Sequence, residues 1–383
     1  MGKQQAVTFF VPCAPGIEPY LHAEVRELGF LQHERQVGGV RFEGTREDMW
    51  RANLGLRTAV RVLMRLKRFT ADTDQELYDG VAAIDWSAWL KPGGSLRVDA
   101  QTKDSVLDHS RFLEQRVKDA IVDQLRDAQG ERPSVDKESP DLRVHLHVWR
   151  NRATLSLDSS GPSLHKRGWR TYQGRAPLAE TLASAMTFAS GWNRRAPVLD
   201  PFCGSGTLLV EAAWMAAGRA PGLLREHFAF ESWPNHDKAS YRKLHAQLTS
   251  EAGSLPRKLR LIGRDIDPEK IEGARENAER AGLSDNIQFE VGDASDMDYR
   301  PGWNAQILTN PPYGERVGDE GALVEVYQAF GSALRERASG YDLCLLSGNP
   351  HLLEALQLDR RIKSIRDEWR NGSLECELLR AKL

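Results

Sequence analysis

The chain has 383 residues, 40% of them hydrophobic, with 52 Lys and Arg against 54 Asp and Glu for a net charge of −2. That length supports two or three domains with buried cores, and the near-neutral charge excludes a disordered polyelectrolyte and a strongly basic nucleic-acid binder. Cys13, Cys203, Cys344 and Cys376 lack paired spacing, which argues against a disulfide framework or zinc site, and no stretch has the length of a membrane span or the pattern of an export signal; a cytoplasmic location with no metal and no membrane partner is expected.

From the N-terminus the pattern predicts an α+β region, mildly basic over residues 1–175 with 27 Lys and Arg against 24 Asp and Glu. Residues 7–11 form a short strand, residues 17–28 an amphipathic helix ended by Gly29, and residues 39–42 a second strand. Residues 49–71 hold six basic residues and no acid. Within Arg61-Val62-Leu63-Met64-Arg65-Leu66-Lys67, alternation places Arg61, Arg65 and Lys67 on one face of a strand, either solvated or facing RNA. Residues 106–125 carry helical apolar spacing at Val106, Phe112, Leu113, Val117, Ile121 and Leu125. A hairpin follows, with arms 142–149 and 153–158 around Arg150-Asn151-Arg152. His145 and His147 share a face of its first arm, and without further ligands they read as a surface pair. Residues 159–175 are a glycine-rich basic connector containing Arg167-Gly168-Trp169-Arg170, which is either packed between domains or open to RNA phosphate and base.

Beyond this junction strands and helices alternate, which predicts an α/β domain with a largely parallel sheet. Residues 197–200 run as a strand into Pro201-Phe202-Cys203-Gly204-Ser205-Gly206-Thr207, and residues 208–217 form the next helix. After a second strand at 259–266, Asp267 caps a helix with Pro268 at its first position, ending near Gly282. Residues 287–291, 305–309 and 341–347 supply further strands and residues 323–334 a helix. Asn371-Gly372 predicts a hairpin that closes the sheet in antiparallel fashion. The polar insertion at 221–258 carries no evident chemistry.

Open α/β sheets bind ligands beyond the carboxyl ends of their strands. The loop Asp200–Gly206 departs from the dinucleotide fingerprint, and an acid at its start suits a ligand with a cationic amino-acid end such as S-adenosylmethionine. Asp265 can accept two ribose hydroxyls with Ile266 against an adenine, and Asp293, in Gly292-Asp293-Ala294, can accept an adenine amino group. At the fourth strand end stands Asn310-Pro311-Pro312-Tyr313. Its prolines lack an N–H and have a fixed φ, so the turn is stiff. It can aim the Asn310 side-chain oxygen and the Pro311 carbonyl at two hydrogens of a planar amine, while Tyr313 offers a flat face. An exocyclic amine is a poor nucleophile because its lone pair is delocalised. The predicted chemistry is therefore in-line methyl transfer, driven by orientation and electrostatics. The same geometry suits guanine N2, adenine N6 or a glutamine amide, and a non-catalytic RNA-binding factor could retain the fold.

Residues 165–383 resemble a Rossmann-like S-adenosylmethionine-dependent amino-methyltransferase, with Asp200–Gly206 matching the first motif and Asn310–Tyr313 the catalytic one. Arg167-Gly168-Trp169-Arg170, Ala176-Pro177-Leu178-Ala179-Glu180 and Asn310-Pro311-Pro312-Tyr313-Gly314-Glu315-Arg316 are similar to strings in bacterial 23S rRNA guanine-N2 methyltransferases of the RlmL type. The resemblance implies a ferredoxin-like segment over residues 1–68, a THUMP-like RNA-binding domain over 69–160, a linker at 161–175 and a Rossmann-like methyltransferase domain over 176–383. It implies S-adenosylmethionine held by Glu180, Thr181, Asp200, Pro201, Cys203, Gly204, Ser205, Gly206, Asp265, Ile266, Asp293 and Ala294. Asn310, Pro311, Pro312 and Tyr313 form the implied catalytic group, and Cys203 is expected to pack rather than react. The implied substrate is a guanosine of 23S rRNA, free or in a large-subunit precursor, because extruding a base costs least outside a stable duplex. A tRNA guanine-N2 activity is the alternative, followed by adenine N6 methylation. Some members carry a second methyltransferase making 7-methylguanine; the resemblance covers the N2 unit alone.

Overall fold

The computed structural model describes residues 6–174, 177–300, 302–313, 320–359 and 361–383. Strand β1 (Val7–Pro12) buries Phe9 and Val11, and helix α1 (Glu18–Glu27) follows with a proline in its first turn. The hairpin of β2 (Leu31–Gln36) and β3 (Gly39–Gly44) leads to α2 (Arg46–Gly55), opened by a capping box between Thr45 and Asp48, and then to β4 (Leu63–Thr70). Next come α3 (Asp74–Ala82), β5 (Ser95–Lys103), α4 (Ser110–Gln129), β6 (Ser134–Val135), β7 (Leu142–Trp149) and β8 (Arg152–Asp158). Among the described residues these strands make one eight-stranded sheet, ordered β2-β3-β1-β4-β8-β7-β5-β6. The sheet does not stop at the boundary expected between residues 68 and 69. That point falls inside β4, which pairs with β1 on one side and β8 on the other.

Local sterics overturn several expectations in this half. The register of β4 against β8 shifts between Arg65 and Lys67, a bulge at Leu66 that breaks strict alternation. Arg65 pairs with Ser156 and Lys67 with Leu155, so the two basic residues lie on opposite faces. Lys67 Nζ donates to Gly80 O of α3 at 3.0 Å, and Arg61, which precedes the strand, pairs with the buried carboxylate of Asp158. The predicted RNA-facing trio is therefore dispersed. Val106, 69% exposed, precedes α4, whose first turn is capped by His109 Nδ1 accepting from Phe112 N at 3.2 Å. Arg152 is a strand residue opposite Trp149, which leaves Arg150 and Asn151, both at positive φ, as a two-residue turn. His145 lies 3.6 Å from Asp158 and 3.9 Å from Asp99.

The third unit contains α5 (Glu180–Ala189), β9 (Val198–Asp200), α6 (Thr207–Ala216), α7 (Lys238–Glu251), β10 (Leu261–Asp265), α8 (Pro268–Arg280) and β11 (Ile287–Val291). It continues with β12 (Gln306–Thr309), α9 (Glu320–Arg337), β13 (Asp342–Ser347), α10 (Pro350–Ala355), β14 (Ser364–Asn371) and β15 (Leu374–Lys382). Its described strands are ordered β11-β10-β9-β12-β13-β15-β14; β11, β10, β9, β12 and β13 run parallel, and β15 enters antiparallel to β13. This is the Rossmann-like sheet with a closing antiparallel hairpin. Because β10 lies on one side of β9 and β12 on the other, a topological switch point opens at the carboxyl end of β9.

The expected linker is a packed strap. Leu164 and Arg167 are 1% exposed and Trp169 is fully buried, so the packed-junction alternative holds and these side chains cannot meet RNA. The insertion at 221–258 clamps the two halves together. Its Phe230 and Tyr241 pack on Trp50 of α2, Trp233 meets Trp89 edge-on at 5.3 Å, and Arg46 Nη1 donates to Asn235 O at 2.9 Å.

Candidate active site

Four strand ends build the site. At the end of β9, Asp200 is 1% exposed, and its Oδ1 accepts from Thr309 Oγ1, at the end of β12, at 2.8 Å and from Phe202 N at 3.3 Å. Burial pushes its carboxyl up to about 7, opposed by those two hydrogen bonds. At the end of β10, Asp265 Oδ2 accepts from Gly204 N at 3.1 Å, while Oδ1 faces Asp267 N at 3.1 Å and Lys270 Nζ at 3.3 Å. The loop between β9 and α6 is thus tied at its start by Asp200 to Thr309 and at its middle by Gly204 to Asp265. Asp293, beyond β11, accepts from Ser295 N at 2.8 Å and Ser295 Oγ at 2.5 Å and has no hydrogen bond to the other acids among the described residues.

The loop 201–206 stands away from neighbouring backbone at its middle. Gly204 has φ +50°, and a Cβ there would meet nothing within 4 Å, so a ligand can approach the backbone closely. Ile266 and Val291 are 69% and 54% exposed, and Val291 is the register partner of Asp265. Two exposed aliphatic side chains beside an acid at a strand end fit an adenosine. Pro201 is buried, as are Ala294 and Cys203; Cys203 is 6% exposed and burial raises its thiol well above the ordinary value, so it packs and has no thiolate to offer.

Glu180 is turned into the protein. It is 3% exposed, and its Oε1 lies 2.8 Å from Arg170 Nε; burial raises its carboxyl despite that guanidinium. Arg170 also donates to Ser205 Oγ at 3.0 Å, Thr207 Oγ1 at 2.9 Å and Leu178 O at 3.0 Å. Glu180 and Ser205 are therefore held by one guanidinium, and Thr181 is the half-buried next residue of α5. Asn277 of α8 completes this floor: its Nδ2 donates to Ser205 O at 3.0 Å and Tyr172 O at 2.9 Å, and its Oδ1 accepts from Thr171 N and Tyr172 N. Sequence reasoning missed Arg170, Asn277 and Thr309. Arg170 stands in a string that the sequence leaves open between a packed junction and RNA, with no sign of a cofactor-loop partner; Asn277 is a buried polar residue in mid-helix, distant in sequence from everything it touches.

After β12 comes Asn310. Its Oδ1 is buried and has no hydrogen-bond partner among the described residues, although such acceptors are costly to leave unmade. Pro311 is buried, and the Pro312 carbonyl accepts from Tyr327 OH at 3.4 Å. Tyr313 is anchored rather than free: its OH accepts from Asn371 Nδ2 at 3.1 Å, and its ring lies on Gly348, where a Cβ would stand 2.6 Å from Tyr313 Cδ2. Burial raises its phenol well above the ordinary value. Residues 314–316 of the quoted string, and residue 176 of another, lie outside the described residues.

Open loops at the ends of successive parallel strands, a buried acceptor at the switch point with no partner among the described residues, and an antiparallel closing strand define a Rossmann-like methyltransferase. The chain belongs to the RMKL-like methyltransferase family, whose methyltransferase-domain profile matches residues 167–379; an RlmL ferredoxin-like domain matches residues 8–63 and a THUMP domain residues 71–158. The ribosomal RNA large subunit methyltransferase K/L of Ectopseudomonas mendocina is 44% identical over 379 residues, covering 97% of this chain and 52% of that protein. The chain thus spans about half the length of the curated relatives it matches. The structure of SMU.472 in complex with SAH is 30% identical with a TM-score of 0.87, covering 99% of this chain and 98% of the other. A Listeria monocytogenes structure described as a predicted N6-adenine-specific DNA methylase is 29% identical with a TM-score of 0.86, covering 98% and 96%. S-adenosylmethionine is the cofactor of this class, and the open glycine cradle with its aliphatic pair fits it.

Proposed function

We propose that the chain methylates the exocyclic N2 amine of a guanosine in 23S rRNA, with S-adenosylmethionine as donor. The observation that carries this reading is Asn310 Oδ1, a buried acceptor without a partner among the described residues, at the switch point beside the cofactor loop. A planar N–H donor completes it. The cofactor supplies an electrophilic methyl group on a sulfonium. Asp265, Asp293, Ile266 and the loop Asp200–Gly206 hold the nucleoside and amino-acid ends, with Ala294, Glu180 and Thr181 at its borders. Asn310 Oδ1 and the Pro311 carbonyl accept the amine hydrogens and set the nitrogen in line, Pro312 stiffens the turn, and Tyr313 borders the base. No residue needs to act as covalent nucleophile: the methylated nitrogen is cationic and acidic, and its extra proton passes to water. The THUMP domain and the kinship with ribosomal RNA large subunit methyltransferases support an rRNA substrate.

The test incubates purified protein with labelled S-adenosylmethionine and separate pools of unmodified 23S rRNA, tRNA and duplex DNA, then identifies modified nucleosides by mass. N2-methylguanosine in 23S rRNA alone is expected. Label in tRNA, or N6-methyladenine in DNA, replaces the substrate assignment with the corresponding one.

A further inference from the structure

We infer that the polar face of the eight-stranded sheet docks an unpaired RNA segment, with Trp149 as the surface on which a base stacks. The inference rests on the reading that the chain acts on RNA and names where that RNA is held outside the active site. Strand register sets Lys103, Trp149 and Arg152 side by side on β5, β7 and β8, so the ring has a cation one strand spacing away on each side, about 4.8 Å in backbone terms. One and two rows further along the same face, with the bulge at Leu66 between them, Arg68 stands opposite Thr154 and Arg65 opposite Ser156. Helices α3 and α4 cover the other face, where Val148, Leu155 and their neighbours are buried.

Three features separate this patch from an ordinary solvated sheet. Trp149 is 42% exposed, with the Arg150 guanidinium 4.8 Å from its ring centroid. No ion pair engages Lys103, Arg150, Arg152, Arg68 or Arg65 among the described residues, whereas carboxylates on the same face are already held: Asp99 by Arg97 and Arg143, Asp158 by Arg61 and Glu43 by Arg41. Arg65 Nε is buried without a hydrogen-bond partner among the described residues, and burial together with the Arg68 and Arg41 charges lowers the pKa of its guanidinium. A half-buried cation crowded by like charges calls for an anion.

The tip that carries Trp149 is also preorganised. Asn151, at φ +60°, accepts from Val106 N through Oδ1 at 2.8 Å, donates to Asp72 through Nδ2 at 2.6 Å and accepts from Ala71 N through its carbonyl at 2.8 Å. Little ordering entropy remains to be lost on binding. An exposed aromatic among unpaired cations on a sheet matches unstacked bases joined by phosphates, whereas a duplex hides its base faces.

The experiment measures fluorescence anisotropy of a labelled unstructured 12-nucleotide RNA, and of a labelled RNA duplex, with the full chain. Trp149→Ala is expected to weaken single-strand binding about tenfold, with Trp149→Phe restoring most of it. Arg68→Ala/Arg152→Ala is expected to reduce the slope of log affinity against log salt by about 0.7 per cation removed. Affinity for S-adenosylhomocysteine, read by calorimetry, stays at the wild-type value and certifies the fold. If Trp149→Ala loses that affinity, Trp149→Phe and the double variant decide. Wild-type binding that none of these variants changes overturns the surface and leaves the RNA reading standing. A wild-type protein that binds no RNA overturns both, and binding to duplex alone, indifferent to position 149, overturns the stacking site.

Discussion

A buried acceptor with no donor is a liability in a resting protein, and among the described residues Asn310 Oδ1 is such an acceptor. If the amine of the substrate is its missing partner, Asn310→Ala lowers kcat by at least about 10²–10³-fold. The same change leaves S-adenosylhomocysteine affinity unaltered in calorimetry, since its proposed role is toward the substrate amine; equal loss of both would remove it from catalysis. Asp200 makes a separate prediction, because burial pushes its carboxyl up to about 7 in the fold from its ordinary value of 3.8. The folded chain keeps this proton over a range where the unfolded chain has released it. Stability from Asp200 is therefore fully present below about pH 4, falls as pH rises and is lost above about pH 7. Asp200→Asn keeps the neutral form at every pH, so its stability relative to wild type should grow between pH 5 and 8, by on the order of 3 kcal/mol. Urea unfolding at both pH values, without cofactor, reads it; a difference independent of pH would mean that Asp200 ionises normally.

The element that supports the loop after β12, the proposed catalytic loop, comes from the far end of the chain. The hairpin of β14 and β15 sends Asn371 to the Tyr313 hydroxyl, and β13 ends at Ser347, so that Gly348 lies under the Tyr313 ring. Gly348→Ala would put a Cβ within 2.6 Å of that ring and displace it. The expected outcome is a kcat loss on the order of 10²-fold from misplaced substrate, with cofactor affinity retained. Asn371→Ala tests the polar half of the same support and should cost less; wild-type kcat in both variants would leave Tyr313 without a positional role. The sequence announced this hairpin through Asn371-Gly372 but gave no sign that its first residue reaches a loop 58 residues away. The same contrast runs through the chain. In the third unit, strands, turns and acids were legible because each apolar strand ends in a loop of distinctive chemistry. In the first half, β2 is nearly all exposed and has no periodic apolar signal, while the bulge in β4 inverted the facing of Lys67 relative to Arg65. Bulges and polar edge strands are set by pairing partners, which no local window contains.

At the scale of the molecule, what matters is whether the RNA-domain half and the methyltransferase half move as one body. The joint between them is ionic and buried. Glu211 of α6 has no exposure, with Arg167 Nε at 3.3 Å, Arg57 Nη1 at 3.9 Å and Ser184 Oγ donating at 2.6 Å. Arg57, from the first half, also donates to the carbonyls of Trp214 and Arg219 in the second, and its own N–H donates to Glu24 of α1 at 2.8 Å. Removing Glu211 would strand two buried guanidiniums, so Glu211→Ala should destabilise the chain by about 3–5 kcal/mol, more than a surface ion pair supplies. Denaturant unfolding followed by tryptophan fluorescence measures this, and a loss under about 1 kcal/mol would show that water or neighbouring carbonyls compensate the guanidiniums. The functional consequence is separable from stability. A rigid joint fixes the span between the sheet face carrying Trp149 and the proposed amine acceptor, Asn310, so a loosened joint should weaken kcat/KM on a long RNA more than on a short fragment that reaches only the active site. Equal losses on both, below the unfolding temperature, would confine Glu211 to holding the fold and would place the measurement of substrate length elsewhere in the chain.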